Sequence, residues 1–221
     1  MIITIQNKTR VLALNLIMLL TAMASFSQSD EDVLKHVDSL ALKMFVDMNN
    51  RDYDAILEMT HPKVFEMVPK ESLKDLFKTM FEGSEEFAIE IPQTIPDYKL
   101  SKVFTNEQDA LKYVFVSYDM EMDMTFHNQE FDDEAKKLMV TMMSEKGMDI
   151  TFKSNNSLDV IMNDRITIIL KDNTTNEKWV MVNYDAGSPL FYQIVPASLL
   201  ESAKTYSQNL LLQRKASETE D

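Results

Sequence analysis

The chain has 221 residues, 45% of them apolar, and its 22 Lys and Arg against 36 Asp and Glu give a formal charge of −14. That is the size and composition of one globular domain, and the acid excess excludes recruitment to a phosphate backbone or an anionic membrane, leaving cationic or neutral partners. With no Cys there is no disulfide framework, thiolate metal site or catalytic thiol, and three isolated glycines, Gly83, Gly147 and Gly187, cannot write a dinucleotide-binding or phosphate-binding loop.

The chain opens with a basic segment (Lys8, Arg10), a short apolar run from Val11 to Leu20, and small residues up to Gln28. This pattern reads as a secretory signal peptide over 1–28, cut after Ala24 or after Gln28. The apolar run of about ten to fourteen residues is too short for a hydrocarbon core of ~30 Å, so no membrane span is expected once the signal is removed. The expected destination is the periplasm or the exterior. A single domain is expected over 29–212, followed by a polar, frayed tail at 213–221.

Asp30 or Asp32 caps a helix whose apolar residues Val33, Leu34, Val37, Leu40, Ala41, Met44, Phe45 and Met48 recur at three-to-four spacing. A short helix over Asp52–Met59 stops at Thr60-His61-Pro62, because the residue before a proline leaves the α region. A third helix runs from Pro69 to Phe81 with Gly83 past its end. From Glu85 the period changes to two, and Phe87–Ile91, Tyr98–Phe104 and Ala110–His127 read as strands. A helix over Asp132–Met143, stopped by Gly147, interrupts them as an insertion. Strands resume at Asp149–Lys153, Leu158–Met162, Arg165–Lys171 and, after the Asn173–Asn176 turn, Trp179–Tyr184. A last helix follows Pro196, with Leu199, Leu200, Ala203, Tyr206, Leu210 and Leu211 as a stripe that closes a pocket or docks a second subunit. The layout is α+β: N-terminal helices packed on a curved, mainly antiparallel sheet, with an inserted helix and a C-terminal helix.

The order helix, short helix, helix, strands, with Asn50-Arg-Asp-Tyr-Asp-Ala-Ile-Leu-Glu-Met-Thr-His-Pro62 at the first helical corner and Lys178-Trp-Val-Met-Val-Asn-Tyr184 in a late strand, resembles the nuclear-transport-factor-2-like superfamily over roughly residues 30–184. The resemblance implies a cone-shaped α+β fold whose helices and bent sheet enclose a pocket. It spans isomerases, dehydratases and binding proteins, so it implies a place for a ligand rather than a reaction. Enzymes of that fold often carry a His, Asp or Tyr on the pocket wall. The implied catalytic pair here is His61 with Asp54 or Asp52, set against a reading in which His61-Pro62 ends a helix and Tyr53 packs beneath the first one.

The segment Asp119-Met-Glu-Met-Asp-Met-Thr-Phe-His127 carries its own candidates. As a strand it puts Asp119, Glu121, Asp123, Thr125 and His127 on one face and Met120, Met122, Met124 and Phe126 on the other. The acidic face reads as a solvated sheet face or as the mouth of a pocket for a cationic ligand or partner. Its spacing to Glu130 also matches a calcium loop, but Met124 stands where the loop needs Gly. The Met face reads as core rather than a copper site, since the 17 Met are spread through every kind of element. His36 falls off the apolar stripe of the first helix and reads as exposed. Asn163-Asp164 is expected as a two-residue hairpin turn; in a continuous strand Asp164 would instead be an inward carboxylate of raised pKa and a general-base candidate.

No compact set of nucleophile, base and oxyanion donor assembles from these residues. The expectation is a secreted, non-catalytic module, without cofactor or metal, that binds a small apolar molecule or a protein partner. Tyr53, Asp119, Glu121, Asp123 and His127 are the candidate binding residues. The alternative is an isomerase- or dehydratase-like enzyme in which His61 with Asp54, or Asp164, transfers a proton. A homodimerisation module is a third class.

Overall fold

The structure is a computed structural model that describes residues 29–218. The expected signal peptide, 1–28, lies outside the described residues. By its internal contacts the chain falls into two units, Met1–Val33 and Leu34–Asp221. Of the first, residues 29–33 are described; Asp30 to Val33 open the first helix, with the Val33 N–H donating to the Ser29 carbonyl at 3.0 Å. The second unit carries the rest of that helix and every other element.

The helices are α1 (Asp30–Asn49), α2 (Tyr53–Met59), α3 (Pro62–Met67), α4 (Lys70–Glu82), α5 (Asp133–Ser144), α6 (Phe191–Ile194) and α7 (Ala197–Glu218). The strands are β1 (Phe87–Glu90), β2 (Tyr98–Leu100), β3 (Phe104–Asn106), β4 (Leu111–Phe126), β5 (Met148–Phe152), β6 (Ser157–Lys171) and β7 (Val180–Asn183). The class is α+β as expected: an open antiparallel sheet with helices packed on it. Two long strands are its spine. β4 pairs with β6 from Lys112 opposite Lys171 to Thr125 opposite Ser157, β1, β2 and β3 line the far edge of β4, and β5 and β7 line the far edge of β6.

Several expectations need correction. A fourth helix, α3, precedes the sheet, because Pro62 sits at its first turn, where a missing N–H costs nothing, and His61 caps it through Nδ1, which accepts from the Lys63 N–H at 3.2 Å. The expected strand Tyr98–Phe104 is two short ones, β2 and β3, because the register shifts by one residue between Leu100 opposite Val116 and Phe104 opposite Tyr113; Ser101 still bonds Phe115, its N–H donating to the carbonyl and its hydroxyl accepting from the N–H, each at 2.9 Å. The expected turn at Asn163-Asp164 does not form. β6 runs through it for 15 residues, and the pairing shifts between Tyr118 and Met120 so that Asn163 and Asp164 together face Asp119. Asp164 takes a positive φ of 53° in this bulge, and its N–H donates to the Asp119 carboxylate at 2.8 Å.

The bulge divides the sheet physically. Above it, both faces are covered. Leu111, Tyr113, Phe115, Ile166, Ile168 and Leu170 form one cluster with Leu199 and Ala203 of α7, where Tyr206 stacks on Phe115 at 4.5 Å between ring centroids. The stripe of α7 therefore docks on its own sheet. On the opposite face lie Val114, Val116 and Tyr118, with Phe45 of α1 edge-on to Tyr118 at 4.9 Å. Beyond the bulge only the methionine face is covered, and α5 packs beside β5 there. α7 also runs past Leu212 into the segment expected as a tail, and Arg214 Nε donates to the Asp164 carboxylate at 3.0 Å.

Candidate functional site

α4 repeats an apolar residue every four positions, Leu73, Phe77 and Phe81, so one face of it presents a continuous apolar surface. That face, with Met44 and Met48 of α1 and Ile56 of α2, borders an open cavity of about 220 Å³ whose floor is Tyr118 of β4, Thr167 of β6 and Met181–Asn183 of β7. No charged side chain lines it. Its polar content is concentrated in one relay: the Thr167 hydroxyl donates to the Asn183 side-chain oxygen at 2.9 Å and therefore accepts from the Tyr118 phenol at 3.3 Å. Thr167 is fully buried. Burial also pushes the Tyr118 phenol above its ordinary value of 10.0, so it remains a donor at every physiological pH.

A second cleft, of about 370 Å³, opens on the other side of Met48 and Tyr118, which line both spaces. Phe45, Met120 and the proline-flanked loop Ile91–Asp97 form its walls. Three carboxylates, Asp97, Asp119 and Glu121, stand around it, and no Lys or Arg does.

The proposed proton-transfer pair does not come together. Asp54 is exposed and bonds Lys74 at 2.6 Å, which holds its carboxyl below the usual range. His61 is 1% exposed; its backbone N–H donates to the Met181 carbonyl at 2.9 Å, and its Nε2 faces Asp172 at 3.6 Å. With Nδ1 accepting from Lys63, the ring proton resides on Nε2 and points at Asp172. Burial lowers the His61 pKa more than Asp172 raises it, so the ring is neutral. Asp172 itself, although burial alone would raise it, is held below the carboxylate range by the Thr174 hydroxyl and N–H, each at 2.7 Å. His61 lines neither cleft, so neither gives its ring a substrate within hydrogen-bond reach. Asp164 lines neither cleft, and its carboxylate is bound to Arg214 rather than held unpaired in the core.

Tyr53 is a packing residue: it is buried, lies against Phe81 with centroids 6.3 Å apart, and donates to Glu82 at 2.9 Å. Burial and that carboxylate push its phenol up to about 12. Of the acidic row, Asp119 and Glu121 reach the outer cleft, whereas Asp123 pairs with Lys153 at 2.7 Å. Lys153 also bonds Asp159, opposite Asp123 in the register, and these carboxylates raise its pKa. His127 is exposed at the end of β4, its Nδ1 3.2 Å from the Glu85 carbonyl. The calcium-like spacing is laid out along a strand, and among the described residues no group of three His, Asp or Glu is placed to hold a metal. No helix among them is long and apolar enough to cross a membrane.

Sequence reasoning missed Tyr118, Thr167, Asn183 and Asp172. Thr167 sits inside an apolar strand run, where one hydroxyl is a small signal, and Tyr118 sits between Ser117 and Asp119 in a strand whose acidic row is the stronger signal. Compared with known protein families, curated proteins and solved structures, the chain matches none.

Proposed function

We propose that this is an exported, non-catalytic binding protein that holds a small apolar molecule between its N-terminal helices and its sheet. The observation that carries the reading is the uncharged cavity of about 220 Å³ with one internally satisfied polar relay at its floor. An apolar cavity of about 150 Å³ is enough to bind benzene, so this space suits a small hydrocarbon or one limb of a larger ligand. The proposal includes membership of the nuclear-transport-factor-2-like superfamily, supported by the order of helices before strands and by the position of the cavity. It includes export, supported by the composition of residues 1–28.

The test is binding of the neutral dye N-phenyl-1-naphthylamine, whose fluorescence rises in apolar surroundings. The wild-type protein is expected to bind it, and Leu73→Trp, which fills the cavity from α4, to weaken it about tenfold or more, the loss of roughly 1.4 kcal/mol. Dye that does not bind, or that binds Leu73→Trp as tightly, removes the reading. Export is checked separately by sequencing the N-terminus of protein recovered from its producing cells, expected to begin at Ser25 or Ser29.

A further inference from the structure

Of the six methionines in the strands, five, Met120, Met122, Met124, Met148 and Met162, lie beyond the bulge, and all five are half-buried. Above the bulge the buried apolar strand positions hold Val, Ile, Leu, Phe and Tyr, with Met181 of β7 as the one methionine. Stiff side chains therefore fill the part of the sheet covered on both faces, and thioethers gather where the cover is incomplete.

The register lines up three of the five. Met120 of β4 is directly opposite Met162 of β6, and Met162 is directly opposite Met148 of β5. Directly paired residues share a face, so three thioether side chains stand in one row across three strands, with Cβ atoms about 5 Å apart from each strand to the next. In the two rows that follow, the middle position is Val160 and then Leu158, both buried, so the all-methionine row is the rim of this core beside the bulge. Met120 also lines the outer cleft, which opens one end of the row to solvent. Hydrogen bonds fix the backbone next to each member. The Asp164 N–H donates to the Asp119 carboxylate at 2.8 Å, the Asn163 N–H to the Gly147 carbonyl at 3.0 Å, and the Asn163 side-chain amide to the Asp149 carboxylate at 2.6 Å.

We infer that this row binds a soft monovalent cation, Cu(I) or Ag(I), with the sulfurs of Met120, Met148 and Met162 as its ligands. Thioether sulfur is uncharged and polarisable, and it selects Cu(I) over the hard cations that oxygen ligands hold. A methionine side chain turns about three bonds, so the two outer sulfurs can lean toward the middle one while the strands keep their pairing. The ligands bring no charge of their own. Asp119 and Asp149, adjacent to Met120 and Met148 and alternating to the other face of the sheet, lower the cost of holding a cation there. The site is separate from the inner cavity and stands or falls independently of it.

The experiment titrates the purified protein, under ascorbate, with Cu(I) held by the competing chelator bicinchoninate. The wild type is expected to withdraw one equivalent, and X-ray absorption at the copper edge to show sulfur as the only ligand type. Its affinity is expected to stay constant from about pH 7.5 to 5.5, because thioethers do not titrate, whereas a site built on His127 or His36 would lose metal over that range. The triple variant Met120→Leu, Met148→Leu, Met162→Leu nearly conserves volume and is expected to bind Cu(I) about 100-fold more weakly or worse. Met80→Leu with Met142→Leu, which removes two exposed helical methionines, is expected to change nothing. Should the triple variant not fold, Met162→Leu alone removes the middle ligand and is expected to weaken binding about tenfold or more. No uptake by the wild type, nitrogen or oxygen in the copper shell, or wild-type affinity in Met162→Leu each overturns the site.

Discussion

At the scale of single residues, His61 shows how a chain places a titratable ring without using it on a ligand. Its Nδ1 caps α3, its N–H joins β7, and its Nε2 faces Asp172, so the ring is a structural junction between the helical corner and the β6–β7 turn. Its pKa in the folded chain lies below the ordinary 6.5, with burial the main cause. Above that value both folded and unfolded chains hold a neutral ring, and the junction contributes fully. As pH falls below it, the unfolded chain takes up a proton that the folded chain resists, and stability declines at up to about 1.4 kcal/mol per pH unit. Urea denaturation between pH 7.5 and 5 is expected to show this slope. His61→Asn, which keeps a capping acceptor and cannot titrate, is expected to flatten it; an unchanged slope assigns the effect elsewhere. Gly83 is a second such residue. It closes α4 at a φ of 84°, and a Cβ there would collide with the Phe87 carbonyl oxygen. Gly83→Ala is expected to cost about 1–3 kcal/mol of unfolding free energy, and a loss within about 0.5 kcal/mol would show that the α4–β1 connection relaxes freely.

At the scale of elements, periodicity makes the helices legible and the junctions opaque. α1, α4 and α5 follow from three-to-four spacing and terminal Pro and Gly, and the apolar face of α4 is visible in Leu73, Phe77 and Phe81. That this face borders a cavity with Thr167 and Asn183 is not, because it depends on which strands lie beneath it. β6 illustrates the limit. An unbroken alternation would bury Asp164 beside Met162 and Ile166, which favours a turn. The bulge solves the same conflict without ending the strand, by inserting one extra residue and turning the Asp164 side chain toward Arg214. Asp and Asn tolerate this backbone region and β-branched residues do not. Asp164→Asn is therefore expected to cost less than about 1 kcal/mol, the contribution of a half-exposed ion pair, whereas Asp164→Val costs about 1–3 kcal/mol on chemical denaturation. Equal costs for the two would mean that the charge, and not the bulge, matters. His61 with Asp172 is illegible for a related reason: the Asp172 side chain is committed to its own turn through Thr174 and Thr175, and only the pairing of β7 with β6 brings that turn to the helical corner.

At the scale of the whole second unit, the bulge separates a part of the sheet buried on both faces from a part buried on one. Along β4 the residues from Tyr113 to Ser117 are all buried, while those from Asp119 to Phe126 are half-buried or exposed, although the same β6 ladder bonds both stretches. Hydrogen bonds add little net stability when water competes for them, so the difference in burial sets the difference in local stability. Phe115, packed by Phe104, Tyr113 and Tyr206, anchors the first part, and Phe115→Ala is expected to cost about 3–5 kcal/mol. In native-state hydrogen exchange the amides of Val114, Phe115 and Val116 are expected to open only with global unfolding. Those of Glu121, Met122 and Asp123 are expected to open at a free energy lower by at least about 1 kcal/mol, in a separate step that leaves the first group protected. Equal protection along β4 would mean that the sheet opens as one unit and that the bulge is not a boundary. A separate step has a functional meaning, because Asp119, Met120 and Glu121 belong both to the outer cleft and to the looser part of the strand. The wall of the outer cleft is then the part of the sheet that opens first, while the floor of the inner cavity, Tyr118 and Thr167, stays with the rigid part.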